Sequence, residues 1–137
     1  MDQQKRYVRF SRAEELIPQE EMLEVRQSRS SLTIGLPKEV SPQELRIGLV
    51  PEAVNLLVAN GHRVLLEAGA GTGARFSDHD FSESGAQVVP SAREAYQADL
   101  ILKIAPPTDE EIEMMKDRQA LFSTVSLPHQ LPAYFRN

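Results

Sequence analysis

The sequence predicts an α/β domain in which helices cover both faces of a mainly parallel sheet of about five strands. The first indication is an alternation of short apolar runs and helix-start signals at spacings of roughly 15 to 25 residues, which is typical of βαβ units. The second is composition: the chain has 137 residues, 41% of them apolar and 26% charged, as in an ordinary soluble domain. This length fits one domain and leaves no room for a second of ordinary size.

The predicted strands are short apolar runs bounded by turn residues. Pro37 stops the first run and Pro106 follows the fourth, and proline cannot continue a strand ladder. In chain order the runs cover residues 32–36, 64–66, 87–89, 100–104 and 121–125.

Helix signals separate these runs. Pro51 opens a helix with an apolar stripe, and Asn60-Gly61 stops it. Ser91 and Thr108 each precede an acid by three residues, which is the spacing of a capping box, and predict two more short helices. The segment 76–81 is polar and lacks a helical apolar stripe, so no helix is predicted there. The whole pattern predicts a Rossmann-like (flavodoxin-like) three-layer domain with right-handed crossovers.

Residues 1–31 differ from the rest because they are dense in charge and poor in branched apolar side chains. A capping-box spacing at Ser11 and an interruption at Pro18 predict an N-terminal extension that is partly helical. We expect this extension to pack on a surface or a partner subunit, and the domain to occupy residues 32–137.

Charge and residue usage exclude several function classes. A net charge of −5 offers no footprint for nucleic acid or anionic lipid. The absence of cysteine excludes disulfides, thiolate metal sites and a cysteine nucleophile, and the three scattered histidines favour no metal site. No apolar stretch has the length of a membrane span, and the N-terminus lacks the apolar core of a secretory signal, so a cytoplasmic location is expected.

One glycine motif invites a cofactor interpretation. Residues 69–74 fit the pattern G-x-G-x-x-A directly after a predicted strand. A dinucleotide site also needs a helix that opens at the glycines and an acid at the end of the next strand. Here a polar stretch follows, and the next strand runs into Pro90. We therefore expect glycines that relieve crowding or approach a neighbouring element, and no cofactor-binding residue in this chain.

Blocks in a fixed order carry a resemblance to a known family. They lie at residues 34–39 (IGLPKE), 44–51 (ELRIGLVP), 61–64 (GHRV), 67–71 (EAGAG), 76–78 (FSD), 85–86 (GA) and 98–103 (ADLILK). In these blocks the sequence resembles the N-terminal domain of alanine dehydrogenase and of the NAD(P) transhydrogenase alpha subunit. In that family the nucleotide lies on a separate, later Rossmann domain. The resemblance therefore implies a substrate-side domain that ends before the NAD-binding domain.

The resemblance also implies an activity and two substrate-binding residues. Alanine dehydrogenase interconverts L-alanine with pyruvate, ammonia and reduced NAD. Arg46 matches the family position that binds the substrate carboxylate, for which a guanidinium fork is suited. Lys103 matches the lysine that binds a carboxylate or carbonyl oxygen, where a cation stabilises developing negative charge.

Three acidic residues are candidates for supporting roles. Glu39 and Glu44 lie near Arg46 in sequence and could orient its guanidinium. Glu44 could equally complete a capping box with Ser41. Glu67 ends the second predicted strand, and its role is left open.

The sequence departs from the alanine dehydrogenase pattern at the catalytic histidine. That histidine follows the fifth strand, and the matching position here is Ser126. Either His129, three residues later, serves as the acid/base, since an imidazole titrates near neutral pH, or the chain lies nearer the transhydrogenase branch.

Three functions therefore stay open. The first is the substrate-side domain of an NAD-dependent alanine dehydrogenase, which binds a small 2-oxo acid or amino acid in a homo-oligomer. The second is the corresponding transhydrogenase domain, which passes hydride between NAD(H) and NADP(H) with a membrane partner subunit; the acidic run 109–111 suits it equally. The third is a non-catalytic assembly module, which the extension at residues 1–31 suggests.

Overall fold

The computed structural model describes residues 30–124. Apart from Ser30, these residues belong to the unit Ser31–Asn137. The predicted N-terminal helix and the candidates Ser126 and His129 lie outside the described residues. Within residues 30–124, no helix is long and apolar enough to cross a membrane.

A parallel sheet of five strands forms the centre of the described domain. The strands are β1 (Thr33–Leu36), β2 (Arg63–Glu67), β3 (Gln87–Val89), β4 (Leu100–Leu102) and β5 (Ala120–Phe122). Their order is β3-β2-β1-β4-β5, and every neighbouring pair is parallel. The predicted α/β fold class is confirmed. The strand order reverses between β1 and β4, which makes the carboxyl ends of these two strands a topological switch point.

The helices are α1 (Pro51–Ala59), α2 (Asp78–Glu83), α3 (Ala92–Ala95) and α4 (Asp109–Met114), with a 3-10 turn at Thr72–Ala74. The predicted capping box at Thr108 is present at the start of α4. The capping box predicted at Ser91 is wrong. Its hydroxyl donates to Glu94 Oε1 over 3.3 Å, and the Glu94 N–H bonds instead to the Ser91 carbonyl.

The expectation that the polar segment 76–81 contains no helix is also wrong, because α2 covers most of this segment. Ser77 caps the helix by accepting a bond from the Asp80 N–H, and the Asp80 carboxylate accepts one from the Ser77 N–H. Phe81 is fully buried and anchors the helix to the core. This helix of six residues therefore forms with one buried side chain and a capping box, and without an apolar stripe.

Two apolar clusters lie on opposite faces of the sheet and give the three layers. Alternate residues of a strand point to opposite faces, and accordingly Val64 and Leu66 of β2 join one cluster while Leu65 joins the other. Helices α1 and α2 pack on the first cluster, through Val54 and Phe81, and α3 packs on the second through Ala95.

Strand β4 ends two residues earlier than the predicted run 100–104. The Lys103 N–H still donates to the Phe122 carbonyl over 3.0 Å. The next N–H, that of Ile104, donates instead to Glu39 Oε1 over 2.5 Å. A carboxylate thus replaces the strand partner, and Lys103 becomes the first residue after the strand.

Candidate functional site

The candidate site lies at the switch point between β1 and β4. Pro37, Lys38 and Glu39 follow β1 directly, and Lys103 follows β4 directly. Ligands of open parallel sheets bind in the crevice outside the carboxyl ends of the strands where the order reverses. Lys103, predicted from the sequence, is therefore in the position where this fold class binds small molecules.

Lys103 is buried between two carboxylates. Its Nζ lies 3.0 Å from both Glu111 Oε1 and Glu111 Oε2, and 3.3 Å from Glu39 Oε2. The exposed fractions of the Lys103, Glu39 and Glu111 side chains are 2%, 7% and 4%. We call these three residues the Lys103 cluster. A buried lysine requires such partners, since an isolated charge in an apolar interior is very costly.

Glu39 joins the ends of β1 and β4. Besides the contact with Lys103, its carboxylate accepts bonds from the Ile104 N–H and from the Ala105 N–H, the latter over 3.3 Å. The sequence suggested that Glu39 orients Arg46. The structure instead gives its direct contacts to Lys103 and to the segment after β4.

Glu111 was missed as a site residue. Its Oε2 accepts from the Thr108 N–H over 2.8 Å, while the Thr108 hydroxyl accepts from the Glu111 N–H over 3.2 Å. The sequence indicated this capping box, but the same carboxylate also binds Lys103. The sequence contained one signal for Glu111. It is the acid of a helix-capping box, and that helix begins shortly after Lys103 in the sequence.

Arg46 and Glu44 form a second pair, on the exposed loop between β1 and α1. Arg46 Nε and Nη2 lie 2.8 Å from Glu44 Oε1 and Oε2 respectively, and the Arg46 N–H donates to Oε1 over 3.0 Å. These hydrogen bonds lower the pKa of Glu44 to about 2. They also raise the pKa of Arg46, to which the negative charge of Glu39 makes a smaller contribution. Glu44 therefore orients Arg46. At Ser41 the chain makes a turn, in which the Glu44 N–H donates a hydrogen bond to the Ser41 carbonyl.

The glycine-rich loop packs against the segment that carries Arg46. A Cβ built on Gly73 would lie 3.0 Å from both Cα and O of Leu45, the residue before Arg46. A Cβ on Gly71 would lie 2.5 Å from Phe81 Cε2 and 2.8 Å from the Phe76 carbonyl. The prediction that these glycines approach neighbouring elements is confirmed. The loop runs into a 3-10 turn at Thr72–Ala74 and not into an α-helix, so it lacks the helix N-terminus that holds the pyrophosphate of a dinucleotide.

Glu67 and Lys38 complete this edge of the sheet. Glu67 Oε2 accepts from the Lys38 N–H over 2.7 Å. The role left open for Glu67 is therefore to hold the chain where it leaves β1. This contact fixes the backbone one residue before Glu39.

Tyr96 is a further residue that the sequence did not single out. Its side chain is fully buried, and its hydroxyl is the one buried side-chain polar atom without a hydrogen-bond partner within residues 30–124. Burial raises the pKa of Tyr96, and the negative charge of Glu111 raises it further, ahead of that of Glu39.

A groove of about 640 Å³ lies elsewhere, between α1 and α2. Its lining includes Glu52, Asn55, Phe76 and Asp80. It contains neither Arg46 nor any residue of the Lys103 cluster. This groove and the predicted site residues therefore do not coincide.

Comparisons with known proteins find similarity to part of two kinds of protein. The family model described as alanine dehydrogenase/PNT, N-terminal domain, matches residues 35–135. The alanine dehydrogenase of Staphylococcus epidermidis is 37% identical over 99 residues, which are 72% of this chain and 27% of that protein. Alanine dehydrogenase 2 of Staphylococcus aureus is 35% identical over 99 residues, with the same shares of the two chains.

Two solved structures have the same fold. An L-alanine dehydrogenase superposes with a TM-score of 0.65 and 45% identity over 66% of this chain and 25% of that one. A transhydrogenase from Sinorhizobium meliloti superposes with a TM-score of 0.63 and 34% identity over 66% of this chain and 27% of that one. The chain thus spans about a quarter of the length of the relatives it matches.

Proposed function

Since the chain belongs to the alanine dehydrogenase/PNT N-terminal domain family, we propose that it is the substrate-side domain of an NAD-dependent alanine dehydrogenase. The full-length protein would interconvert L-alanine with pyruvate and ammonia. The observation that carries the proposal is the presence of two cationic side chains, each braced by carboxylates: Lys103 at the switch point and Arg46 on the loop after β1.

Arg46 is proposed to bind the substrate carboxylate. A guanidinium has five N–H donors, and Glu44 uses one on Nε and one on Nη2. The remaining Nη edge is free to pair with both oxygens of a carboxylate, because the Arg46 side chain is 70% exposed. Glu44 would then hold the guanidinium in the orientation that presents this edge.

Lys103 is proposed to bind the carbonyl oxygen of the 2-oxo acid or its carboxylate. Negative charge develops on the carbonyl oxygen when carbon is reduced, and a fixed cation stabilises it. Burial strengthens the effect, since a charge acts more strongly in a medium of low dielectric constant than in water. Glu39 and Glu111 would fix the ammonium in place.

The nucleotide is assigned to residues outside this chain. NAD supplies the hydride chemistry when bound, and the described loop 69–73 does not fit it because no α-helix begins at these glycines. The homo-oligomeric state and the cytoplasmic location expected from the sequence belong to the same proposal. His129 stays the candidate acid/base, and a substitution His129→Gln would lower turnover if it has that role.

The transhydrogenase reading is the second candidate. One observation favours it: Ser126 lies at the position where alanine dehydrogenases have histidine, and a transhydrogenase that is 34% identical to this chain has the same fold. In that case the full-length protein would pass hydride between NAD(H) and NADP(H) and work with a membrane partner subunit.

The deciding experiment assays the full-length gene product for NAD⁺ reduction with L-alanine and for NADH oxidation with pyruvate and ammonium. Alanine-dependent turnover in the wild type, lost in Arg46→Met, is the expected result. Arg63→Met is the matched control, because Arg63 is an exposed arginine at the amino end of β2.

The other outcomes identify the alternatives. Turnover between two nucleotides without a response to alanine would favour the transhydrogenase. Alanine turnover that is equal in the wild type and in Arg46→Met would overturn the role of Arg46. If neither activity is found, the non-catalytic assembly module is the remaining candidate function.

A further inference from the structure

The glycine-rich loop 69–73 has an open space beside its first residue. A Cβ built on Gly69 would have two atoms within 4 Å, apart from those of the adjacent residues: Lys38 Nζ at 3.7 Å and Thr72 Oγ1 at 3.9 Å. An ammonium and a hydroxyl thus border the place where another residue would put its side chain. Gly69 has φ +79, in which other residues are strained, so a glycine suits this position. We call this space the Gly69 subsite.

Lys38 brings to the subsite a cation that no carboxylate neutralises within the described residues. The salt bridges found in residues 30–124 are made by Arg46, His79 and Lys103. Lys38 is exposed, so the three N–H donors of its ammonium are accessible to a ligand from solvent. Lys103 differs, because three carboxylate oxygens lie within 3.3 Å of its Nζ. Lys38 therefore has donors to offer an anion.

The backbone around the subsite is fixed by two carboxylates that point away from it. Glu67 Oε2 accepts from the Lys38 N–H over 2.7 Å, and Asp78 Oδ1 accepts from the Gly69 N–H over 2.8 Å. Neither carboxylate has an atom within 4 Å of the Cβ position on Gly69. The two acids therefore hold the loop and the start of the Lys38 side chain while they bind backbone donors.

The remaining donors fit a carboxylate better than a phosphate. The backbone N–H groups of Gly69, Ala70 and Thr72 all bond to acceptors of the protein. Loops that bind phosphate present several such N–H groups to it. Within residues 30–124, the hydrogen bonds of Thr72 are made by its backbone, so its hydroxyl can donate to a ligand. One ammonium and one hydroxyl match the two oxygens of a carboxylate.

The Gly69 subsite and Arg46 lie beside opposite ends of the same loop. Gly69 begins the loop and borders Lys38, and Gly73 ends it in close contact with the backbone of Leu45, which precedes Arg46. This loop follows β2 at the carboxyl edge of the sheet, where ligands of open parallel sheets bind. A ligand whose first carboxylate binds Arg46 therefore has a second cation near it.

We propose that Lys38 and Thr72 form a carboxylate-binding subsite beside Gly69, which takes the second carboxylate of a dicarboxylic 2-oxo acid whose first carboxylate binds Arg46. The ammonium pairs with this second carboxylate, and the Thr72 hydroxyl donates to one of its oxygens. The proposal rests on the proposed function, since it uses the role of Arg46, and it extends the substrate class of the same site. Binding at the subsite changes no covalent bond.

The test compares two ligands of equal length. Both 2-oxoglutarate and 2-oxopentanoate have five carbons, and only the first ends in a second carboxylate. Calorimetry measures their dissociation constants in the full-length gene product, with NADH present and ammonium absent so that no reductive amination occurs. We expect the wild type to bind 2-oxoglutarate about tenfold more tightly, because hydrogen bonds to a charged group are stronger than neutral ones.

Substitutions at the subsite should remove this preference. In Lys38→Met the chain length is kept and the charge is lost, and the two dissociation constants should then agree within about twofold. Lys38→Arg should keep most of the preference because it keeps the charge. Thr72→Val replaces a hydroxyl by a methyl group and should reduce the preference about threefold. The unfolding midpoint of Lys38→Met should stay near that of the wild type, since Lys38 makes no salt bridge within residues 30–124.

Lys116→Met is the matched control. Lys116 is also an exposed lysine, but its Nζ donates to the Gln97 carbonyl over 3.1 Å, on the segment that precedes β4. The substitution removes the same charge near the amino edge of the sheet, and the preference for 2-oxoglutarate should stay within about twofold of the wild type. An equal loss of preference in Lys116→Met and Lys38→Met would overturn the subsite, because net charge would then explain both.

The other outcomes separate the subsite from the proposed function. Equal binding of the two acids by the wild type, or an unchanged preference in Lys38→Met, overturns the subsite and leaves the proposed function intact. Inorganic phosphate that competes with 2-oxoglutarate in the wild type and not in Lys38→Met would assign the space to phosphate and overturn the carboxylate. A wild-type protein that binds neither acid nor pyruvate overturns the proposed function and the subsite with it.

Discussion

The two cationic side chains of the site have opposite surroundings. Lys103 has an exposed fraction of 2% and meets two buried carboxylates, whereas Arg46 has an exposed fraction of 70% and meets one carboxylate on the same loop. Both are paired by glutamate in similar geometry. The comparison shows that one kind of contact has different consequences in the interior and in water.

In the interior, the contact holds elements together. The Lys103 cluster connects the end of β1, the end of β4 and the start of α4. In the second pair the guanidinium is exposed, while the Glu44 side chain is 15% exposed. Solvent screens the contact from the arginine side, so we expect it to contribute less to stability than the buried contacts and to act mainly on the direction of the guanidinium. We infer that Lys103 has both a structural and a binding role, and that Arg46 has a binding role only.

The largest effect expected from this difference is the loss of stability in Lys103→Met. Two buried carboxylates would lose their cation, and breaking a buried pair from one side costs about 3–5 kcal/mol of unfolding free energy. Urea denaturation measures this cost. Lys38→Met is the control, since Lys38 is exposed and should change stability little. An equally small effect of both variants would contradict the structural role of Lys103.

A smaller effect is expected in Gly73→Ala, which acts on the loop that carries Arg46. The added methyl would lie 3.0 Å from the Leu45 backbone, so the loop has to shift, at a cost of about 1–3 kcal/mol. The KM for pyruvate should rise, since Leu45 precedes Arg46.

Gly61→Ala is the matched control for this loop. Gly61 has φ +90 and no atom within 4 Å of an added methyl, so the variant is strained but touches nothing. It should lower stability and leave KM unchanged. A parallel rise of KM in both variants would show that the position of Leu45 is not the cause.

Glu44→Gln should separate orientation from stability. The neutral side chain loses the charge-assisted bonds to Arg46, and we expect KM for pyruvate to rise about fivefold while the unfolding midpoint scarcely moves. Steady-state kinetics and thermal denaturation of the same preparation measure the two quantities. A large drop in the unfolding midpoint with unchanged KM would contradict this, because it would show that the contact of Glu44 with Arg46 stabilises the fold and does not orient the guanidinium for binding.

The smallest effect concerns pH. Glu44 has a pKa of about 2 in the folded chain against an ordinary value of 4.5. A lowered pKa means that the contribution of this group to stability is present above pH 4.5 and is lost as the pH falls through about 2. NMR titration of the Glu44 carboxyl should give a midpoint near 2, returning toward 4.5 in Arg46→Met. A wild-type midpoint near 4.5 would show that the pair does not form in solution.

Local signals explain what the sequence could predict. The five strands and the helices α1 and α4 were predicted because apolar runs, Pro51 and the Thr108 capping box lie within short windows of the chain. The pairing of Glu44 with Arg46 was predicted as one of two alternatives for the same reason, since the two residues are two positions apart. Helix α2 was missed because its one buried side chain, Phe81, gives no periodic pattern.

Contacts made by the folded chain explain what was missed. Glu39 is far from Lys103 in sequence, and only the parallel pairing of β1 with β4 brings them together. Tyr96 follows α3, and no local pattern indicates that its hydroxyl is buried without a hydrogen-bond partner among residues 30–124. The contacts of the buried Lys103 likewise come from Glu39 and Glu111, which lie on other elements of the fold.

The most direct test of the central claim is a crystal structure of the full-length gene product with pyruvate bound. We expect pyruvate oxygens within about 3.2 Å of an Arg46 Nη atom and of Lys103 Nζ. Pyruvate bound in contact with neither residue would contradict it.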